Sequence, residues 1–255
     1  MPVVYPDGRA YKYENGVYLP AKEIELERMV KNYSRDDHAT MYAIQDVRKQ
    51  WMIECSGDPI TFNEVSSTHI INLKNGLYDI YEQRLLPHSP NHHSLIQLDC
   101  SYEPNSKCER FTKFINQALP PESVVLAQEI VGYILVLMTQ AQKSFILHGP
   151  GGTGKSTFIR IIESLVGEQN VLNIAWQDLS DKFRPAGLQG KLLNTFADLP
   201  DTAMKDMGMF KSLTGGDRVT SERKNKDPFE FMNTARFLFS ANHLPQNFGD
   251  NGDSF

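Results

Sequence analysis

At positions 149–157 the sequence reads Gly149-Pro150-Gly151-Gly152-Thr153-Gly154-Lys155-Ser156-Thr157. This stretch fits the phosphate-loop pattern G-x-x-x-x-G-K-[ST] without a mismatch. Because glycine lacks a Cβ, the backbone of such a loop can turn its N–H groups toward a phosphate. Lys155 is then placed to contact the β- and γ-phosphates, and the Ser156 hydroxyl is placed to ligate Mg²⁺. The stretch therefore predicts a site for a nucleoside triphosphate.

The residues on either side of the loop predict the structural context that the pattern needs. Phe145-Ile146-Leu147-His148 is a short apolar run typical of a buried strand. After the loop, apolar side chains recur with the period of a helix at positions 158, 161, 162 and 165. A strand, a glycine loop and a helix in this order place the phosphates at a helix N-terminus.

Length and charge limit the classes of protein that fit. The chain has 255 residues and a formal net charge of −5. This length suits one large domain or two modest ones. The acidic charge argues against a surface that coats nucleic acid broadly, so any nucleic-acid contact must rest on a particular segment. No apolar run approaches the ~20 residues that span a bilayer, and we see no signal-peptide pattern, so we expect no membrane contact.

The cysteines indicate a reducing setting. Three of them, Cys55, Cys100 and Cys108, are spread without C-x-x-C spacing, which favours free thiols in a cytosolic protein. Cys100 and Cys108 lie near His92 and His93, but their spacing matches no zinc pattern, so we predict no metal there.

The region before the loop predicts hairpins and helices. Asn15-Gly16 and Asn75-Gly76 each mark a tight hairpin turn. Helices are predicted over 22–35, 39–55, 108–118 and 122–140. The first has Leu26, Met29, Val30 and Tyr33 on one packing face, and the second has Ile44, Val47, Trp51 and Cys55. His88, His92 and His93 are interpreted as solvated loop residues. We place a domain boundary near residue 120, which gives domains of 1–120 and 121–255.

Three later segments add candidate site residues. The apolar run from 191 to 197 ends at Asp198, as expected of a buried strand that delivers a carboxylate to Mg²⁺. Residues 218–231 predict two β segments around a basic tip formed by Arg223, Lys224 and Lys226, which on its own is typical of a solvated turn. A third buried strand ends at Asn242, whose amide can contact a γ-phosphate or its attacking water, although an Asn there is more often a turn former.

Together these segments resemble a known family. They read GPGGTGKST at 149–157, KLLNTFADLP at 191–200, FKSLTGGDRVTSERKNKDPFEF at 210–231 and FLFSANHLP at 237–245. The order resembles the superfamily III DNA helicases of the phage, plasmid and large-DNA-virus primase–helicase type, which belong to the AAA+ class of ATPases. KNGLYDI at 74–80, LLPHSP at 85–90 and the helices from 108 to 140 resemble the helical domain that precedes the ATPase in that family.

The resemblance implies an α/β fold. It consists of a phosphate-loop ATPase domain with a central parallel sheet flanked by helices, after a smaller, mostly helical domain with β-hairpins. It also implies ATP and Mg²⁺ as cofactors, with Lys155, Asp198 and Asn242 as catalytic residues and Ser156 and Asp198 as metal ligands. The tip at Arg223, Lys224 and Lys226 would then grip the DNA backbone.

The resemblance further implies how such a protein works. ATP would lie between adjacent subunits of a homo-hexameric ring, and hydrolysis would draw one strand of single-stranded or forked DNA through the channel, 3′ to 5′. A primase domain or partner and a host cytoplasm are implied as well.

Two departures from the family pattern bear on activity. Ala197 precedes Asp198, so the second acid that many members carry at this strand is Asp201 or lies elsewhere. No arginine follows Arg236, although the family has an arginine finger just beyond this point. We therefore expect a C-terminally truncated fragment that binds ATP, hydrolyses it poorly and assembles weakly.

Two alternatives remain open. One is a small phosphotransferase, although no arginine-rich lid segment is present and Asn242 would have no role. The other is a non-motor initiator or loader module that uses nucleotide to organise partners, which the single acid at Asp198 favours slightly. Unwinding by a Lys155→Ala variant of the intact protein separates the motor from the loader.

Overall fold

In a computed structural model of the chain, the described residues are 3–4, 9–34, 39–55, 68–199 and 207–244. Their helices are α1 (Glu23–Ser34), α2 (Met41–Cys55), α3 (Glu109–Ala118), α4 (Pro121–Leu135), α5 (Lys155–Val166) and α6 (Met207–Gly215). Their strands are β1 (Val3–Val4), β2 (Ala10–Glu14), β3 (Val17–Pro20), β4 (Ile70–Leu73), β5 (Gly76–Asp79), β6 (Arg84–Leu86), β7 (Phe145–His148), β8 (Val171–Leu172), β9 (Leu193–Phe196), β10 (Arg218–Ser221), β11 (Phe229–Met232) and β12 (Arg236–Ala241).

A parallel sheet in the order β7-β12-β9-β8 organises the second half of the chain. All six residues of the interior strand β12 are buried, as expected of a strand covered on both faces in a parallel sheet. Successive side chains of a strand point to opposite faces. Leu238 therefore joins a core with α4 and α5, whereas Phe237 and Phe239 join a second core with Trp176 and Phe210. The predicted central parallel sheet is confirmed.

The region before residue 120 is mixed rather than mostly helical. β1-β2-β3 and β4-β5-β6 form two antiparallel sheets beside α1, α2 and α3. Both predicted Asn-Gly hairpins are confirmed. Asn15 and Gly16 have φ values of 48° and 92°, the left-handed pair that a tight hairpin turn requires.

The predicted faces of α1 and α2 are only partly correct. Leu26, Val30 and Ile44 are buried, but Tyr33 is 81% exposed and Val47 is 50% exposed. The two helices pack against each other over a narrow strip, so the outer apolar residues of each face remain at the surface.

The helix predicted over 122–140 ends at Leu135 instead. Val136 is extended, and the buried guanidinium of Arg236 donates to the backbone oxygens of Val136, at 3.0 Å, and Met138. These carbonyls accept hydrogen bonds from Arg236 on β12 and not from N–H groups of a continuing helix. A local sequence pattern does not reveal such a contact between distant residues.

The three histidines predicted to be solvated are partly buried. His88 contacts the Leu73 backbone oxygen through Nε2 at 2.8 Å and packs close to Gly16. His93 lies 5.7 Å from the Tyr18 ring. Burial lowers the pKa of His92 below its ordinary value. The loop that carries them follows β6 in the chain and packs between the first hairpin and β4.

One hydrophobic core crosses the boundary predicted near residue 120. Leu73, Leu98 and Ile115 come from the first part of the chain, and they pack in the same cluster as Ile162 and Leu238 from the second part. The division into domains of 1–120 and 121–255 stays a prediction. In the structure the two parts contribute side chains to one hydrophobic core.

Candidate nucleotide site and basic hairpin

The phosphate loop leaves β7 at its carboxyl end and enters α5 at Lys155. Gly152 and Gly154 have φ values of 79° and 92°, in the left-handed region where glycine is free of strain. Among the described residues, none accepts a hydrogen bond from the N–H groups of Gly151, Gly152 or Gly154. Unpaired donors at the N-terminus of a twelve-residue helix form an anion-binding site.

Lys155 and Asn242 meet at this loop. The Lys155 Nζ donates to the backbone oxygens of Gly149 and Pro150 at 2.6 and 2.8 Å, and to the Asn242 Oδ1 at 3.0 Å. The contact arises because β12, which ends just before Asn242, pairs directly with β7. The ammonium is thus held by three neutral oxygens, which leaves its charge uncompensated and available to an anion. The roles of both residues toward a phosphate stay predictions.

Asp198 follows β9 on the other side of β12. Its backbone adopts φ +55°, a conformation that aspartate tolerates better than most residues. Ser240 holds this turn, because its Oγ accepts from the Asp198 N–H at 3.4 Å and its backbone oxygen accepts from the Leu199 N–H at 2.8 Å. The Asp198 carboxylate is exposed and has no hydrogen bond or ion pair with any described residue.

The residues predicted to bind Mg²⁺ fit that ion by chemistry. Mg²⁺ prefers oxygen ligands and usually binds one or two carboxylates together with phosphate oxygens and water. Ser156 and Asp198 are exposed, and within the described ranges neither side chain is occupied by a protein partner. Ser156 follows the loop that leaves β7, and Asp198 follows β9, so both residues come after strands of the same parallel sheet. The predicted Asp201 lies outside the described residues.

The predicted basic segment is a hairpin of β10 and β11. The structure separates its three cations. Arg223 folds back, with its guanidinium 3.9 Å from the Phe229 ring centre and bonded to the Gln189 side chain. Lys224 and Lys226 are exposed at the tip. Arg223 therefore holds the connection between β10 and β11 against the start of β11, and the two lysines carry exposed positive charge in that connection.

A further segment beside the hairpin was missed by the sequence reasoning. The Lys182 backbone oxygen accepts from the Ser221 Oγ at 3.0 Å and from the Glu222 N–H at 3.2 Å. Next to it, Phe183 is 47% exposed, and Arg184 follows. The signal that was available in the sequence is an aromatic residue, Phe183, between two basic ones. We call residues 182–184 the Phe183 segment.

Other candidate sites are not supported. In the ranges that the structure describes, no three His, Cys, Asp or Glu side chains are grouped to hold a metal ion. Cys55, Cys100 and Cys108 are free thiols, and burial raises the pKa of Cys100 above its ordinary value. Across the same ranges, no helix combines the length and apolar character needed to cross a bilayer.

Comparison with known proteins bears on both halves of the chain. Residues 11–120 match the family described as D5 N terminal like, and residues 147–254 match DUF5906, a family of unknown function. An A form apo structure of the NrS-1 C-terminal region superposes with a TM-score of 0.60 at 15% identity, over 96% of this chain and 54% of that one.

A second apo structure, of NrS-1 residues 305–718, gives a TM-score of 0.56 at 14% identity, over 98% of this chain and 56% of that one. The chain thus spans about half the length of the solved chains it matches. At such identities the likeness establishes the fold alone. The chain is therefore similar in fold to part of the NrS-1 C-terminal region, with an upstream segment that matches the D5 N terminal like family.

Proposed function

We propose that this chain is the nucleotide-binding core of an ATP-driven DNA helicase of the superfamily III, AAA+ type. Its setting would be the replication of a phage or related mobile element in the cytoplasm of the host. The observation that carries the proposal is the hydrogen bond between Lys155, at the end of the loop after β7, and Asn242, just after the neighbouring strand β12. Asp198 follows β9, the next strand of the same sheet.

In the nucleotide step, the loop N–H groups and Lys155 bind the triphosphate, which replaces the carbonyl oxygens that now hold the ammonium. Ser156 and Asp198 would hold Mg²⁺, which neutralises charge on the β- and γ-phosphates. Asn242 is placed to orient the γ-phosphate or the attacking water. Water attacks the γ-phosphorus and gives up a proton to solvent, the bond from the γ-phosphorus to the β–γ bridging oxygen breaks, and ADP and inorganic phosphate leave.

In the DNA step, the hairpin and the Phe183 segment act as one surface. Exposed Lys224 and Lys226 suit phosphate contacts, which dominate binding to DNA. The exposed Phe183 ring, with the Lys182 Nζ 5.7 Å from its centre, suits a base stacked on an aromatic side chain. Since the two elements are hydrogen-bonded together, we propose that they move as a unit along a single strand.

Assembly into a hexameric ring, with the completing arginine finger supplied by a neighbour, is part of the same proposal. Its support is the ordered set of motifs at 149–157, 191–200, 210–231 and 237–245, which resembles that of the superfamily III helicases.

The test is DNA unwinding and DNA-stimulated ATP hydrolysis by the intact protein that contains this chain. Lys155→Ala is expected to lower both rates by about 100-fold or more, because one charged donor to the transferred phosphate is lost. Lys49→Ala, an exposed lysine on α2, is the matched control and is expected to leave both rates unchanged.

Unchanged unwinding in Lys155→Ala would exclude the motor and favour a non-motor loader. Phosphate transfer to small acceptors without any response to DNA would instead favour a phosphotransferase.

A further inference from the structure

A cleft of about 370 Å³ lies between the phosphate loop and the helices α3 and α4. This volume falls within the ~300–1,000 Å³ typical of small-molecule sites. One wall is the loop itself, and the opposite wall is apolar, with Phe114, Ala118, Leu126 and Ile130 among its residues. Leu126 is 54% exposed in the open cleft. An apolar wall directly beside an anion site is suited to a ligand with one charged end and one flat apolar end.

Helix α3 packs against the phosphate loop at Gly154. A Cβ placed on Gly154 would lie 3.3 Å from the Phe114 ring and 3.6 Å from the Ala118 Cβ. The aromatic ring therefore borders the helix N-terminus where the phosphates are proposed to bind. A group attached to those phosphates can contact the ring without any movement of the backbone.

We propose that this cleft holds the base and sugar of the bound nucleotide, with Phe114 against the base. The inference rests on the proposed function, because it assumes that the triphosphate binds the loop. It assigns to α3, a helix of the upstream region, a direct part in nucleotide binding.

The cleft has few groups with which to distinguish one base from another. Among the described residues that line it, the polar side chains are Ser123, His148, Thr153 and Lys155, and none is Asp, Glu, Asn, Gln or Arg. Thr153 and Lys155 belong to the phosphate loop, which leaves Ser123 and His148 as the side chains able to contact a base edge. Pro120 has no N–H. The N–H groups of Leu119 and Ser123 already donate to Ile115 and Pro120 at 3.0 and 2.9 Å. Strong base selection requires hydrogen bonds that a wrong base leaves unpaired. The site is therefore a general nucleoside triphosphate site, with less than about tenfold preference among bases.

The experiment is calorimetric titration of the 255-residue chain with the Mg²⁺ complexes of ATP, GTP, CTP, UTP and inorganic tripolyphosphate. We expect the four nucleotides to bind within about tenfold of one another and at least about tenfold more tightly than tripolyphosphate. Phe114→Ala is expected to weaken ATP binding about tenfold and to leave tripolyphosphate binding unchanged.

Matched control variants distinguish a loss of nucleotide contact from a loss of folding. Phe111→Ala removes the same ring from the same helix, but Phe111 borders a different cavity, so ATP binding should not change. Leu126→Ala and Val125→Ala are both exposed changes on α4, and only Leu126 lines the cleft. Leu126→Ala should weaken ATP binding about threefold, and Val125→Ala should have no effect.

The outcomes separate this inference from the proposed function. Equal affinity for ATP and tripolyphosphate, or an equal loss of both in Phe114→Ala, would overturn the base site while the loop assignment stands. A preference well above tenfold for one nucleotide would overturn the claim that the cleft does not distinguish between bases. Failure of tripolyphosphate and all four nucleotides to bind would overturn the nucleotide site itself.

Discussion

Arg236 is a fully dehydrated cation whose partners are neutral. It is 3% exposed and donates to the backbone oxygens of Thr234, Val136 and Met138, with its guanidinium 4.5 Å from the Tyr133 ring centre. Burial lowers its pKa, and among the described residues no carboxylate pairs with it. One side chain thus joins the end of α4 to the start of the central strand.

We expect Arg236→Met to lower the free energy of unfolding by about 2–4 kcal/mol, because three partly buried carbonyls lose a charged donor. Urea unfolding followed by circular dichroism measures this. Arg84→Met, which removes an exposed arginine, should change stability by less than about 0.5 kcal/mol. A loss in Arg236→Met as small as that of the control would refute a structural role.

At the residue scale, the prediction from sequence is strongest where a side chain directly follows a strand. Asn242 was predicted at the end of a buried strand, and it follows β12, where its Oδ1 accepts from Lys155; its role toward a phosphate stays a prediction. The inward turn of Arg223 was not predictable, since Gln189 comes from a distant part of the chain and only the fold brings it near.

The β10–β11 hairpin is the element that carries the proposed DNA contact. The connection between its strands is anchored by Arg223 and by the Phe183 segment, so charge changes at the exposed lysines should leave the fold intact. These lysines are Lys224 and Lys226.

The double variant Lys224→Glu/Lys226→Glu is expected to weaken single-stranded DNA binding about 100-fold at low salt. It should also reduce the slope of log affinity against log salt by about 2, since two phosphate contacts are lost. Fluorescence anisotropy with labelled oligonucleotide across a salt series measures both.

Lys31→Glu/Lys49→Glu makes the same charge change at exposed positions of α1 and α2, and we expect it to have little effect. If both double variants lose affinity equally, the hairpin has no specific role and net charge explains the result.

Element types were predictable where the apolar pattern is strong, as for β7, α5 and β12. The end of α4 was not, because Arg236 captures the carbonyls of Val136 and Met138 from another element. The outer faces of α1 and α2 were also predicted incorrectly, since periodicity shows that a face is apolar but not what covers it.

At the scale of the whole molecule, a single core links the upstream region to the phosphate-loop sheet. Leu98 is 2% exposed and lies in the cluster that contains Ile162 and Leu238. Asn170 adds a polar link, since its Nδ2 donates to the Gln97 backbone oxygen at 2.6 Å. The boundary near residue 120 was predicted from local sequence patterns, which carry no information about a shared core.

We expect Leu98→Ala to destabilise the whole chain by about 2–5 kcal/mol. The chain has two tryptophans, so a Trp51→Phe background leaves Trp176, buried in the second core, as the only fluorescent indole. Trp176 fluorescence and circular dichroism should shift together to lower urea in one transition. An unchanged Trp176 transition in Leu98→Ala would mean that the two parts unfold independently.

The central claim is that the loop at 149–157 binds a nucleoside triphosphate through Lys155, and titration with Mg²⁺-ATP tests it most directly. The 255-residue chain is expected to bind ATP, and Lys155→Ala to bind it about 10- to 100-fold more weakly with the circular dichroism spectrum unchanged. Equal ATP affinity in the two proteins, or no binding by either, would contradict it.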